Sequence, residues 1–583
     1  MADKKQKVKK FISSPLCAFA MGGVIAALIF GAIYGWSVVW PWNVDWIWHG
    51  VTHDTAQHYL GWAFFASDST GGTINGLAYP YGLSISFMDA IPLIAFPAKW
   101  LGLGVNIQYF GLWALTCFIL MGGLSAVLLR RIWAKVFGDK KSNPASSLLF
   151  VSVGSVIFAL SPMVLARTLY HPALAAQWLI LLAFLAIWDS DKERIAGRFV
   201  LIWSGLLVLS VLIHPYFLPM MGAMMLISLV RAYQTIKGKN CRVALRLALY
   251  VVVPVAAALW VFGAIGGFSL GGGAEVYDLP EKGFNLLSFF NPLGYSALIP
   301  GYANASSSPE TLMWLGLGVL TALIVAAVLW VGNYRQSLIA LRTKFEAHCA
   351  HYVLYGLIGL ALLLFAIGVR VDLGPVTLFS YQSLVPAKIY DLWTAFRAAA
   401  REAWPFYYLI VLIVLYWLLL GLTKHRINKI PAMTMPVIAA TAVMAVALVQ
   451  SLDIMNSPVV IAKYEGFKTA HTTAPEYKPI DLAGIKTSSH KHLIALDQGF
   501  RGNQAEFYIM GQTALRNNLT LNTGFFARVP ERAKTDQVKW RNKVKQCKLS
   551  RQDRKENLYF TNDKAWIPSC YSFVERSGIY ILQ

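Results

Sequence analysis

Eleven apolar runs, most of them closed by Lys or Arg, leave this chain little choice of fold. About 20 apolar residues in a helix cover the roughly 30 Å hydrocarbon core of a bilayer, and inside lipid only helices and closed barrels satisfy their own backbone. The first run covers about Leu16–Trp40 and the last about Met433–Val449; others lie near Ser147–Met163, Ala173–Trp188, Tyr352–Ile367 and Phe406–Leu422. The expected fold class is mainly α: a polytopic membrane protein with a bundle of about eleven transmembrane helices. Composition excludes an ordinary soluble protein, since 57% of the 583 residues are hydrophobic and 14% charged, with mean hydropathy +0.52. A net charge of +22 would suggest nucleic acid in a soluble chain. Here the basic residues fall largely in short loops and report orientation.

Orientation follows from those loops. The basic segment Met1–Lys10 precedes a run too long for a signal-peptide core, so the first span is expected to stay uncleaved with its N-terminus in the cytoplasm. Arg130, Arg131 and Lys135 place the end of the second run on the same side. The weaker apolar piece Ile85–Trp100, broken by Pro92 and Pro97, then has no side to cross to and is expected to lie at the outer surface or re-enter. An odd number of spans leaves the tail outside. The expected division is a membrane domain over residues 1–450, whose first outer loop 41–105 carries interfacial helices, and a periplasmic soluble domain over 451–583. Alternating pieces at Lys491–Leu496, Ser572–Val574 and Ile579–Leu582 make that tail a small α/β domain. Its Cys547 and Cys570 can pair in an oxidising compartment, whereas Cys17, Cys117, Cys241 and Cys349 read as core residues. The segment Glu556–Phe560 looks like a protease-tag fragment but reads as native chain.

With this topology the unusual polar residues gather on the outer face. At the centre of the first loop, Asp54 has His53 beside it and His58 one helical turn on. If Asp54 is an N-cap, Asp54, Gln57 and His58 share a face that can accept a proton or hold a hydroxyl-rich ligand. A capped helix with incidental histidines fits the same residues. Asp45, Asp89, Arg167, His171, His214 and Glu310 fall on the same side and are candidates for substrate binding. His171-Pro172 and His214-Pro215 also suit plain turns between spans, and Glu310 also suits a helix-dipole partner. Arg397 and Arg401, at i and i+4 before a late span, with Lys388 nearby, suit a phosphate held in the lipid plane, although snorkelling explains them too. There is no Walker loop, no GxGxxG and no His-rich motif, so no residue is assigned to a metal. A divalent metal stays open as a cofactor through Asp45, Asp54 and Asp89.

An acidic first loop with two interfacial helices, many further spans and an outer soluble domain resembles the GT-C superfamily of membrane glycosyltransferases. His53–Trp62, Tyr79–Leu83, Asp89–Pro92, Gln108–Trp113, Asn285–Pro292 and Phe396–Arg401 resemble segments of a bacterial multi-pass membrane family related to that superfamily. The resemblance implies a GT-C-like bundle in the bacterial inner membrane and an inverting transfer of sugar from an undecaprenyl-type polyprenyl-phosphate donor. The acceptor it implies is a cell-surface or lipid-linked glycan, such as O-antigen of lipopolysaccharide, on the periplasmic face. Carried over, Asp54 is the general base tuned by His53 or His58, and Arg397 and Arg401, with Lys388, hold the donor phosphate. Ala400 and Glu402-Ala403 depart from the narrower pattern of a Gly before the second Arg and aromatics after it. A transporter or flippase for a lipid-linked glycan, or a non-catalytic assembly subunit, is the alternative. Polar groups at one face rather than at the midplane argue against transport.

Overall fold

The computed structural model describes residues 14–52, 54–138, 143–190, 195–233, 241–268, 281–305, 308–331, 334–424, 434–483, 485, 490–496, 504–524 and 531–582. The architecture is mainly helical with a small C-terminal sheet. Six helices are long and apolar enough to cross a membrane: Pro15–Tyr34, Phe110–Phe137, Leu245–Ala264, Cys349–Ile367, Ala399–Thr423 and Met435–Met455. Five shorter apolar helices, Pro144–Ala159, Pro172–Trp188, Gly197–Ile213, Phe217–Tyr233 and Leu317–Val331, occupy the other runs. Six helices, not eleven, thus meet the length of a span among the described residues. A 15-residue helix is only about 22 Å long, short of a bilayer core. Leu28, Trp260 and Val328 are 61%, 76% and 67% exposed on these helices, as suits sides turned to lipid.

Small residues set the first crossing. A Cβ on Gly22 would lie 2.3 Å from the Gly122 carbonyl oxygen, and one on Gly122 would lie 2.2 Å from that of Gly22. Only glycine lets these two backbones meet, which is how helices associate where burial from water offers no drive. The first helix stops at Tyr34, before the expected Trp40, because Gly35 turns left-handed at φ 77°.

In the first loop the helix Thr55–Ser67 is buried at every position from Thr55 to Phe65. It is enclosed by protein. The second piece forms Pro92–Trp100, with Pro92 in its first turn and Pro97 inside. Nine residues reach about 14 Å, so it does not cross. Trp100 and Leu101, 79% and 77% exposed, close that helix.

After Met435–Met455, the helix Pro458–Thr472 returns along the first span, where His471 Nε2 lies 3.0 Å from the Tyr34 carbonyl oxygen. The tail sheet has the order Thr520–Leu521, His492–Ala495, Asn557–Thr561, Ile579–Leu582, Phe573–Arg576. The first three strands are parallel and the last two join antiparallel. The tag-like segment supplies the central strand, fully buried along Asn557–Thr561. Cys547 and Cys570 form a disulfide, and Cys349 is exposed rather than in the core.

The sheet continues into the first loop. Leu521 N donates to the Gly76 carbonyl at 2.8 Å and Tyr79 N donates to the Leu521 carbonyl at 3.1 Å. The Tyr79 ring stacks on His492 at 3.7 Å, and Tyr81 donates to Asp536 at 2.5 Å. The tail is therefore docked on the loop that carries Asp54.

Candidate functional site

Asp54 stands at the N-cap position of Thr55–Ser67, but its backbone is already helical and its side chain caps nothing. The capping expectation fails because better partners come from elsewhere in the chain. His171 Nε2 donates to Asp54 Oδ2 at 2.9 Å, and Gln504 Nε2, 450 residues away, donates to Oδ1 at 2.6 Å. Gln504 also reaches the Tyr508 hydroxyl at 2.5 Å. Thr55 ties the start of the helix to the opposing turn, donating to the Leu169 carbonyl at 2.8 Å.

His58, one turn on, faces Asp89 instead of Asp54. Its Nε2 lies 3.3 Å from Asp89 Oδ2, while His214 Nε2 donates to Asp89 Oδ1 at 2.9 Å. The rings of His58 and His171 are 5.4 Å apart, so the two carboxylates and three imidazoles form one row: Asp54, His171, His58, Asp89, His214. Asp89 and Leu169, beside this row, adopt φ of 51° and 53°. Such left-handed non-glycine residues persist only where surroundings over-determine them, and they gather at functional sites. Here Tyr109 bonds the Ala90 carbonyl and Thr55 bonds that of Leu169.

Burial disfavours the charged form of Asp54, but the hydrogen bond and charge of His171, the charge of His58 and the Gln504 amide outweigh it and hold the carboxyl well below the usual range. Burial likewise opposes ionisation of Asp89, and His214 and His58 reverse it. Burial pushes His171 and His214 down, with Asp54 and Asp89 as partial offsets. The row thus favours ionised carboxylates at Asp54 and Asp89, while burial favours the neutral form of His171 and His214.

Glu310, a substrate-binding candidate that also suited a helix dipole, is followed by an α-helix only from Leu317. Its carboxylate instead takes Arg167 Nη2 at 2.5 Å, Arg401 Nε at 2.8 Å and Arg401 Nη2 at 2.6 Å. Burial opposes the Glu310 charge, and the two guanidinium groups reverse this and hold its carboxyl well below the usual range. Arg401 also lies 4.6 Å over the Tyr216 ring, whose hydroxyl accepts from Ala398 N at 2.9 Å. Arg397 and Arg401 do not share an α-helical face, because Ala399–Ala403 is a 3-10 turn with Arg397 outside it. Arg397 is half-buried near Tyr216.

Beside this triad opens a cavity of about 650 Å³, whose wall includes Val51, Arg167, Tyr170, Tyr302, Asn304 and Lys463. Burial and the nearby Arg167 push the Lys463 ammonium down to about 8. Val51 and Tyr170 belong to the same segments as Asp54 and His171, so the cavity adjoins the row.

The structure thus brings together Asp54, His58, Asp89, His171 and His214, and sets Arg167, Glu310 and Arg401 next to them. Gln57 is buried in the same helix. Asp45 lies exposed in the 3-10 helix Asp45–Trp48 and Lys388 exposed in Ala387–Thr394; neither makes the row's hydrogen bonds. His53 lies outside the described residues. Sequence reasoning missed Gln504, Tyr508 and Lys463. No spacing links Gln504 to Asp54, whereas Lys463, a basic residue just past the last apolar run, was the one visible signal.

A model of a domain of unknown function, DUF6311, matches residues 23–455, and one of the DUF6311 C-terminal domain matches 482–577. The chain belongs to the DUF6311 family. No curated protein matches it. The two family matches leave out residues 456–481, which hold the helix Pro458–Thr472 and the Lys463 of the cavity wall. In this DUF6311 chain, Asp54 and Gln504 join the two matched parts directly.

Proposed function

We propose that this chain is an integral-membrane glycosyltransferase, moving a sugar from a polyprenyl-phosphate-linked donor to a hydroxyl of a cell-surface or lipid-linked glycan. One observation carries the reading: a half-buried carboxylate, Asp54, bonded to His171, stands beside a cavity whose wall holds Val51, Tyr170 and the two cations Arg167 and Lys463. Sugar transfer needs these two elements side by side. A carboxylate within reach takes the acceptor proton as general base. Fixed cations stabilise the phosphate as it departs with developing charge.

In this reading His171 and Gln504 orient Asp54, leaving its remaining lone pairs to the acceptor hydroxyl. Arg167 and Lys463 face the donor phosphate, with Arg401 behind them, tied to Glu310. Tyrosines on the wall suit the faces of sugar rings. A single base opposite the leaving group gives inversion at the anomeric carbon. The positive-inside rule turns the ends that carry Arg130, Arg131 and Lys135 to the cytoplasm and the site to the periplasmic face, where the lipid supplies the activated sugar. Eleven crossings, with the bilayer thinned around the shorter helices, keep the tail on that face.

The test is transfer of radiolabelled sugar from undecaprenyl-phosphate donors by the purified chain in liposomes, comparing wild type with Asp54→Asn. A loss of about 10²–10⁴-fold with donor binding retained is expected. Transfer unaffected by the substitution removes Asp54 as base. Lipid binding with no transfer from any donor overturns the enzyme reading in favour of a lipid-glycan transporter or binding subunit.

A further inference from the structure

Within the row, one ligand atom from each of His58, Asp89 and His171 falls within 4.8 Å of the others. What these side chains lack is telling. His58 is 0% exposed, yet neither of its ring nitrogens has a hydrogen-bond partner. His171 donates Nε2–H to Asp54, so its lone pair sits on Nδ1, which is buried and also unpartnered. Unpaired polar atoms in a dry interior are costly and call for an explanation.

Distances supply one. His58 Nε2 and Asp89 Oδ2 are 3.3 Å apart without forming a hydrogen bond. Two donors at about 2.0–2.1 Å from a tetrahedral centre stand about 3.3 Å from each other. The third donor needs a shift of about 1 Å or more toward the centre, within reach of a histidine ring rotation. The outer partners match as well. Metal-bound histidines hand their other N–H to a carboxylate, and ligating carboxylates are themselves hydrogen-bonded. Asp54 does the first for His171, and His214 does the second for Asp89. His214 is no ligand, because its Nε2 goes to Asp89 and its Nδ1 accepts from Tyr216 N at 3.2 Å.

We propose that His58, Asp89 and His171 bind one divalent transition-metal ion, zinc by the character of two imidazoles and a carboxylate, with Asp54 and His214 as positioning residues. The proposed site adjoins the cavity assigned to sugar transfer but does not rest on that chemistry.

The experiment uses the full-length chain in detergent, stripped with a chelator, dialysed against zinc sulfate and measured by plasma mass spectrometry. Cobalt chloride is the spectroscopic probe. The expected result is one zinc per chain, visible-region cobalt bands of a low-coordinate nitrogen–oxygen site, and loss of both in His58→Ala and Asp89→Asn. His214→Gln is expected to keep the site with affinity lower by about 10- to 100-fold, and His492→Gln to bind as wild type does. Substoichiometric zinc in the wild-type chain, or cobalt without those bands, overturns the proposal whether or not the variants fold. Equal metal content in folded His58→Ala overturns it too. Because the readout is metal content, failure here is separate from failure to transfer sugar.

Discussion

Replacing Glu310 with glutamine tests the electrostatic core of the site without presupposing its chemistry. The carboxylate accepts three charge-assisted hydrogen bonds, at 2.5, 2.6 and 2.8 Å, from two arginines whose side chains are 8% and 9% exposed. Glu310→Gln keeps the shape, but its amide oxygen serves only one guanidinium and its NH2 group confronts the donors of the other. Removing one partner from a buried ionic cluster costs about 3–5 kcal/mol, chiefly because an uncompensated charge stays buried. Arg401 keeps its place over Tyr216, worth about 1 kcal/mol, so a loss near 3 kcal/mol is expected. Unfolding in mixed SDS micelles, followed by tryptophan fluorescence, measures it. The carboxyl is held below its usual range in the folded chain, so its stabilisation is complete above the unfolded value and vanishes only as pH falls through the folded one. The penalty should therefore be the same at pH 8 and pH 6. The double variant Glu310→Gln/Arg401→Gln should lose less than the two single variants summed, since it removes the stranded charge with its partner. A loss below about 1 kcal/mol, typical of exposed pairs, would show the triad screened by water and refute the reasoning.

Three further outcomes follow from the same geometry. His171 and His214 titrate below an exposed histidine, so the unfolded chain takes up protons that the folded chain refuses; stability should fall as pH drops from 7 to 5, and His171→Gln should flatten part of that slope in the same micelle assay. Lys463, with its ammonium at about 8, should lose its charge between pH 7 and 9. Binding of polyprenyl phosphate to the chain in nanodiscs should weaken by about tenfold over that interval, and Lys463→Met should be weak throughout. The Cys547–Cys570 disulfide closes a loop with a sequence separation of 23; Cys547→Ser should destabilise the tail by about 3 kcal/mol on a chain-entropy account, seen as faster proteolysis there, and unchanged cleavage would contradict it.

Much of the architecture was legible because apolar runs must become helices in lipid whatever surrounds them. All eleven runs are apolar helices, and the loops carrying Asp54, Asp89, His171, His214, Glu310 and Arg401 do meet at one end of the bundle. Helix length was less legible: prolines and glycines stop several helices short of a span, and Gly35 ends the first. The tail strand Asn557–Thr561 was missed because a central strand flanked by parallel and antiparallel neighbours is buried on both faces and shows no alternation.

By itself, then, the sequence determined the membrane class and the places of the helices, both properties of local hydropathy. The tertiary structure alone decided partnerships. Asp54 reads as a helix cap until His171 and Gln504 take its oxygens, and Glu310 as a dipole partner until Arg167 and Arg401 enclose it. Pairing energy in a low-dielectric interior depends on which charges packing brings within about 3 Å, and residues hundreds of positions apart leave no spacing from which to read it.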